Sequence, residues 1–102
     1  MTVKDYLEST FDGTKRFNVR PSVMCADGFT VSIQGGTENH YCNPRMNCNI
    51  YDEVELGFPS MVIPELDNYA ESHVDHTQTV FAYVPIEKIE QVVANHGGIV
   101  TE

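Results

Sequence analysis

Two segments in which apolar and polar residues alternate constrain the fold more than any other feature of the chain. Residues 17–25 and residues 29–34 place apolar side chains at every second position, which is the period expected of half-buried β-strands. Val and Ile together number 18, whereas Leu and Ala together number 7. Branched side chains suit a pleated surface better than a helix, so the composition also favours sheet.

The short connection Ala26-Asp27-Gly28 sets the register of these two segments. A two-residue turn would put polar residues such as Arg20 on the apolar face. A three-residue loop with Gly28 in the left-handed conformation instead pairs Val23 with Val31, and Arg20 then faces solvent. The sequence therefore predicts a bulged β-hairpin over residues 17–34.

The remaining patterns predict two more strands and three short helices. Thr2, followed three residues later by Asp5, is typical of a helix N-terminus with a capping box. The other elements are predicted from periodicity and from the positions of Pro and Gly. They are a helix over 3–10, a strand near 51–58 with an anionic solvent face, an acidic helix from Pro64 whose apolar face ends at His73, a strand near 79–84 covered on both faces, and a helix from Pro85 to Gly97-Gly98.

These elements predict an α+β fold, with a mainly antiparallel sheet of about four strands and two or three short helices packed on it. A chain of 102 residues can bury one modest core, so we expect a single domain over residues 1–102. The N-terminus does not read as a signal peptide, and no apolar run approaches the roughly 20 residues that span a bilayer. The sequence therefore predicts a cytoplasmic protein.

The charge of the chain is concentrated in its second half. Residues 1–50 carry five acidic and five basic residues, which cancel, while residues 51–102 carry ten acidic residues against Lys88 alone. The whole net charge of -9 therefore belongs to the second half. Such a surface repels nucleic acid and anionic membranes, so neither is an expected partner.

An acidic surface of this kind indicates a basic partner. Carboxylates spaced several ångströms apart resemble a nucleic-acid backbone, so a groove that binds phosphate can accept them instead. The alternative is a solvated face that only confers solubility. The predicted partner-binding residues are Tyr51, Glu53, Glu55, Glu65, Asp67, Glu71, Asp75, Glu87 and Glu90.

Residues 35–50 predict a long loop that holds further candidate residues. His40, Cys42 and Cys48, with Cys25 from the hairpin, are ligand types that zinc accepts, although their spacing matches no common zinc signature. Reduced, structurally incidental cysteines are the alternative. The same loop offers an alternative contact surface, polar and uncharged on balance, through Asn39, Asn43, Arg45 and Asn47.

Signatures of catalysis are missing from the sequence. It has no phosphate-binding glycine loop and no nucleophile elbow, so we expect no enzymatic activity and no cofactor. His73 and His76 are three positions apart in the sequence. Together with a carboxylate, this pair could hold a transition metal or act as acid and base. The alternative is that His73 completes the apolar face of the acidic helix.

Five stretches of the chain carry a resemblance to a known family. They are Phe11-Asp12-Gly13-Thr14-Lys15-Arg16-Phe17, Cys25-Ala26-Asp27-Gly28-Phe29, His40-Tyr41-Cys42-Asn43-Pro44-Arg45, Val54-Glu55-Leu56-Gly57-Phe58-Pro59-Ser60 and His96-Gly97-Gly98-Ile99. With them the chain resembles a family of small uncharacterised proteins encoded by phages and prophages of Firmicutes. The resemblance implies a genomic setting and a host bacterial cytoplasm, without an assigned chemistry. By analogy, small acidic phage proteins resemble counter-defence factors, including inhibitors of CRISPR nucleases.

Together these observations predict an acidic, phage-encoded interaction protein that binds and inhibits a basic, nucleic-acid-handling host protein through its second half. Two alternatives belong to other classes. One is a metal-binding or thiol module that uses His40, Cys42 and Cys48. The other is a small phage structural or assembly protein.

Overall fold

The computed structural model describes residues 1–15, 18–36 and 41–100. In these residues the chain forms one antiparallel sheet with the strand order β4-β3-β2-β1-β5 and short helices, so the predicted α+β class is confirmed. The fifth strand was not predicted. The strands are β1 (Val23–Cys25), β2 (Thr30–Gln34), β3 (Glu53–Gly57), β4 (Val80–Pro85) and β5 (Ile99–Val100).

The predicted bulged hairpin is confirmed at its turn. Val23 pairs with Val31, as the three-residue loop requires, and Gly28 has a φ of 94°. The Gly28 N–H donates to the Cys25 carbonyl oxygen at 2.9 Å, while the Cys25 N–H donates to the Phe29 carbonyl at 2.8 Å. The left-handed glycine therefore fixes the register that gathers the apolar residues on one face.

The segment before β1 corrects the predicted alternation. Arg20 is only 2 % exposed, whereas Val19 is 71 % exposed. At these two positions the buried side and the solvent-exposed side of the segment are therefore the reverse of the prediction. The Arg20 N–H donates to the side-chain oxygen of Gln34 at 2.9 Å, which takes the place of a strand partner. The guanidinium donates to the Leu7 carbonyl at 3.1 Å and to the Thr10 hydroxyl at 2.8 Å. Hydrogen bonds to Leu7, Thr10 and Gln34 therefore hold Arg20 in the interior, while Phe17 lies outside the described residues.

Two α-helices pack against each other beside the sheet. In α1 (Val3–Ser9) the predicted capping box is present, because the side chains of Thr2 and Asp5 each accept the other residue's backbone N–H at 3.1 Å. In α2 (Ile86–Asn95) the buried residues lie at helical spacing and form the stripe that faces the core. Among the described residues, no helix is both long enough and apolar enough to cross a membrane.

The connection after α2 joins its C-terminal end to the hairpin. Gly97 and Gly98 have positive φ angles and stop the helix, and β5 then pairs with β1. The His96 ring stacks on Phe29 with centroids 4.4 Å apart, and its Nδ1 lies 2.6 Å from the carboxylate of Asp27. The Asp27 carboxylate also accepts the Phe29 N–H. This hydrogen bond, and to a lesser extent the contact with His96, holds the pKa of Asp27 below its usual range.

The acidic helix predicted from Pro64 is shorter than expected. It is a 3-10 helix over Pro64–Tyr69, with Leu66 buried, and a second 3-10 turn follows at His76–Gln78. After the first helix the chain extends along β4, where Glu71 N–H donates to the Val80 carbonyl at 2.9 Å. This edge pairing ends the helix before His73, which is exposed instead of completing an apolar face.

Candidate interaction surface

Tyr51, a predicted partner-binding residue, is an internal anchor of the loop. Its side chain is 3 % exposed, and its hydroxyl donates to the Met46 carbonyl at 2.8 Å and accepts the Cys48 N–H at 3.1 Å. Its ring lies against Gly35 so closely that a Cβ there would stand 2.4 Å from a ring carbon. Burial raises the pKa of the Tyr51 phenol. Tyr51 therefore holds the loop on the sheet and leaves no surface for a partner.

The outer face of β3 is covered, which corrects the prediction of an anionic solvent face. Glu55 is buried, and its carboxylate accepts the Tyr41 N–H at 3.1 Å. Glu53 is half-buried, and its backbone pairs with that of Asn43 in an antiparallel β-bridge. Residues 41–43 of the loop thus cross over the strand. Alternation along β3 separates two faces correctly, but it does not reveal what lies over the polar one.

Glu90 is also engaged within the fold. Its carboxylate accepts the backbone N–H groups of Val3 at 2.6 Å and Lys4 at 3.3 Å. These are among the unpaired donors of the first turn of α1, where a negative charge also interacts favourably with the helix dipole. Glu90 therefore joins α2 to α1, and the structure assigns it a structural contact.

The other five predicted carboxylates are exposed, and we call them the acidic face: Glu65, Asp67, Glu71, Asp75 and Glu87. They lie on the 3-10 helix, on the segment after it and on the first turn of α2. Glu65 and Glu87 line one shallow concavity of about 260 Å³ together with Lys88. Asp67 lies 3.3 Å from the ring of His76, the residue that follows Asp75. The five carboxylates are therefore exposed on adjoining segments.

Asp75 has a local role as well as an exposed charge. Its carboxylate accepts the Thr77 N–H at 2.9 Å and the Thr77 hydroxyl at 2.7 Å, so it caps the second 3-10 turn. These hydrogen bonds lower the pKa of Asp75. The carboxylate is therefore ionised at neutral pH and adds a fixed negative charge to the acidic face.

His73 and His76, paired in the sequence analysis by spacing alone, lie together beside the acidic face. The Nε2 atom of His76 is 3.4 Å from the Nδ1 atom of His73, and the ring centroids are 5.5 Å apart. The other nitrogen of His76 lies 3.3 Å from a carboxylate oxygen of Asp67. The edge of the His76 ring also meets Phe81, with centroids 5.8 Å apart.

The thiols proposed as zinc ligands do not form a common site in the described chain. Cys25 and Cys42 are buried, and burial raises the pKa of both thiols, so they remain protonated at neutral pH. Cys42 donates its thiol to the Gly36 carbonyl at 3.3 Å, and Cys48 donates to the Ile50 carbonyl at 3.1 Å. His40 lies outside the described residues. Within residues 1–15, 18–36 and 41–100, no group of three or more His, Cys, Asp or Glu side chains is placed to hold a metal ion.

Two exposed aromatic residues with unusual backbone geometry were missed by the sequence analysis. Tyr83 has a φ of 52° in a β-bulge of β4, and Phe58, which is 58 % exposed, has a φ of 51°. The Tyr83 N–H donates to the Tyr41 carbonyl at 3.0 Å, and the two tyrosine rings lie 5.9 Å apart. Bulky residues rarely adopt this left-handed conformation. A bulge is usually signalled by glycine, and none stands at either position.

The chain has no significant match among models of protein families, among curated proteins or among solved structures.

Proposed function

We propose that this protein is an interaction protein that binds a basic, nucleic-acid-handling surface of another protein through the acidic face. The observation that carries the proposal is the exposure of five carboxylates on adjoining segments, in a half of the chain where Lys88 is the one Lys or Arg. Catalysis and a cofactor are not part of the proposal. Tyr51, Glu55 and Glu90 are left out of the surface because each is engaged within the fold, and Glu53 is left out because it is half-buried.

The physical basis is electrostatic complementarity. A surface with one sign of charge attracts an opposite surface over a distance of about 8 Å at physiological ionic strength and repels surfaces of its own sign. A site that binds a phosphate backbone presents such an opposite surface. Binding of the acidic face would then exclude nucleic acid from that site by direct competition.

The resemblance to phage and prophage proteins gives the proposal its biological form. A phage protein that occupies a nucleic-acid site on a host protein acts as an inhibitor in the host cytoplasm, as counter-defence factors do. The inhibitory role in a phage-infected host is inferred by analogy, whereas the acidic face is defined by the exposure of its residues.

The test is a capture experiment with the immobilised 102-residue chain and a lysate of a Firmicutes bacterium, followed by mass spectrometry. We expect captured proteins to bind nucleic acid and to be displaced by duplex DNA. The triple variant Glu65→Lys, Glu71→Lys, Glu87→Lys should weaken binding at least about tenfold, because each reversal replaces an attraction of up to about 1 kcal/mol by repulsion.

The matched control is the single reversal Glu8→Lys on α1, compared with Glu71→Lys. Both residues are exposed, and both reversals change the net charge by the same amount. If Glu8→Lys weakens capture as strongly as Glu71→Lys, binding follows the total charge and not the acidic face. If captured proteins resist displacement by DNA, the proposed class of partner is wrong.

A further inference from the structure

We propose that His73 and His76 form a binding site for a divalent transition-metal ion of the zinc type. This inference does not rest on the proposed function, because it needs no partner protein. Its basis is the placement of the two ring nitrogens, the carboxylate behind one of them and the fixed orientation of that ring.

The separation of the nitrogens matches the geometry of a tetrahedral ion. With zinc–nitrogen distances of about 2.0–2.1 Å, two nitrogens bound to one tetrahedral ion stand roughly 3.3–3.4 Å apart. The observed distance between His76 Nε2 and His73 Nδ1 is 3.4 Å. That distance is long for an N–H hydrogen bond, for which about 2.7–3.2 Å is usual. The pair is therefore spaced better for a shared ion than for a shared proton.

Asp67 supplies the contact that histidine ligands usually have on their second nitrogen. Its carboxylate oxygen lies 3.3 Å from His76 Nδ1. The negative charge of the carboxylate electrostatically favours a proton on Nδ1, which leaves the Nε2 lone pair available on the side of His73. The same negative charge makes the imidazole a stronger ligand.

The two rings differ in a way that suits binding. The side chain of His76 is 13 % exposed and its ring meets the core residue Phe81, so its orientation is set before an ion arrives. His73 is exposed, which leaves the ion a path from solvent. In the described parts of the chain no third His, Cys, Asp or Glu joins this pair as a ligand group, so water completes the coordination.

The ligand type determines which ions the site prefers. Imidazole nitrogens suit Zn²⁺, Ni²⁺ and Cu²⁺, whereas Mg²⁺ and Ca²⁺ prefer oxygen ligands. The nearby carboxylates of the acidic face raise the local concentration of every divalent cation. Selectivity for Zn²⁺ over Mg²⁺ therefore separates the histidine site from simple attraction to negative charge.

The experiment is an NMR titration of the metal-free 102-residue chain with ZnCl₂, in which the imidazole signals are followed individually. The variants His73→Ala, His76→Ala and His96→Ala assign these three of the four imidazole signals. We expect the signals of His73 and His76 to shift or broaden with ZnCl₂ in the wild type, while the signal of His96, held by Asp27, stays in place. The same concentration of MgCl₂ should leave all three unchanged.

The variants then test cooperation between the two rings. Loss of either histidine should weaken the response of the other to ZnCl₂ at least tenfold, and Asp67→Asn should weaken the response of both. If the signals of His73 and His76 are unmoved by a tenfold excess of ZnCl₂, or respond equally to MgCl₂, the proposal is wrong. Because the wild-type titration is specific to each residue, zinc bound by a cysteine elsewhere does not imitate the expected result.

Discussion

The contact between Gly35 and Tyr51 makes the substitution Gly35→Ala a direct test of how the loop is held. An added Cβ would stand 2.4, 2.6 and 2.8 Å from three ring carbons of Tyr51. The ring cannot move freely, because its hydroxyl bonds the backbone of Met46 and of Cys48. Overpacking costs about 1–3 kcal/mol, and each hydrogen bond lost adds about 0.5–1.5 kcal/mol. We expect Gly35→Ala to lower the free energy of unfolding by about 2–4 kcal/mol.

Two matched variants separate this steric effect from the conformational preference of glycine. Gly28 has a φ of 94° and no atom within 4 Å of an added Cβ, so Gly28→Ala should cost only the left-handed backbone strain of about 1–2 kcal/mol. In a Tyr51→Ala background the ring is gone, and Gly35→Ala should then have little effect. This double-mutant cycle measures the coupling between the two positions.

The assay is urea denaturation at equilibrium, followed by far-UV circular dichroism at fixed pH and temperature. A cost for Gly35→Ala no larger than that of Gly28→Ala would refute the reasoning. So would a cost that persists undiminished in the Tyr51→Ala background, because the clash would then not involve the ring.

Two further predictions concern the ends of the helices. Asp27→Asn keeps an acceptor for the Phe29 N–H but removes the charge beside His96. Because folding lowers the pKa of Asp27, the ionised carboxylate stabilises the folded state. The substitution should therefore reduce the free energy of unfolding most above about pH 4, and the reduction should become smaller as the pH falls below that value. Urea denaturation at pH 6 and pH 2.5 checks this, and a difference independent of pH would contradict it. Thr2→Ala removes the cap that Asp5 completes and should lower the free energy of unfolding by about 1 kcal/mol, measured in the same way; no change at all would mean that α1 does not need its cap.

The elements that could be predicted from the sequence are those fixed by local chemistry. The register of the hairpin follows from Gly28, because one left-handed residue distinguishes the two possible turns. The helix α2 follows from apolar spacing between Pro85 and Gly97. In each case the residues that decide the structure are neighbours in the chain.

The elements that could not be predicted depend on contacts between distant segments. Arg20 is buried by Gln34 and by α1, and Tyr51 is buried against Gly35. Alternation assigns a polar residue to a face but does not show that another segment will cover it. The fifth strand is also non-local, since two residues become a strand only when β1 is there to pair with them.

The same distinction explains why the predicted partner-binding residues Glu55 and Glu90 are unavailable. Glu55 accepts the backbone N–H of Tyr41 in the loop, and Glu90 accepts the backbone N–H of Val3 at the start of α1. An unpaired backbone donor is expensive to leave without an acceptor, so a carboxylate within reach of one is drawn into the fold. Glu65, Glu71 and Glu87 are exposed on the 3-10 helix, the segment after it and the first turn of α2. The negative charge available to a partner therefore comes from the carboxylates that do not accept hydrogen bonds from the backbone of distant segments. It is smaller than the net charge of the second half of the chain.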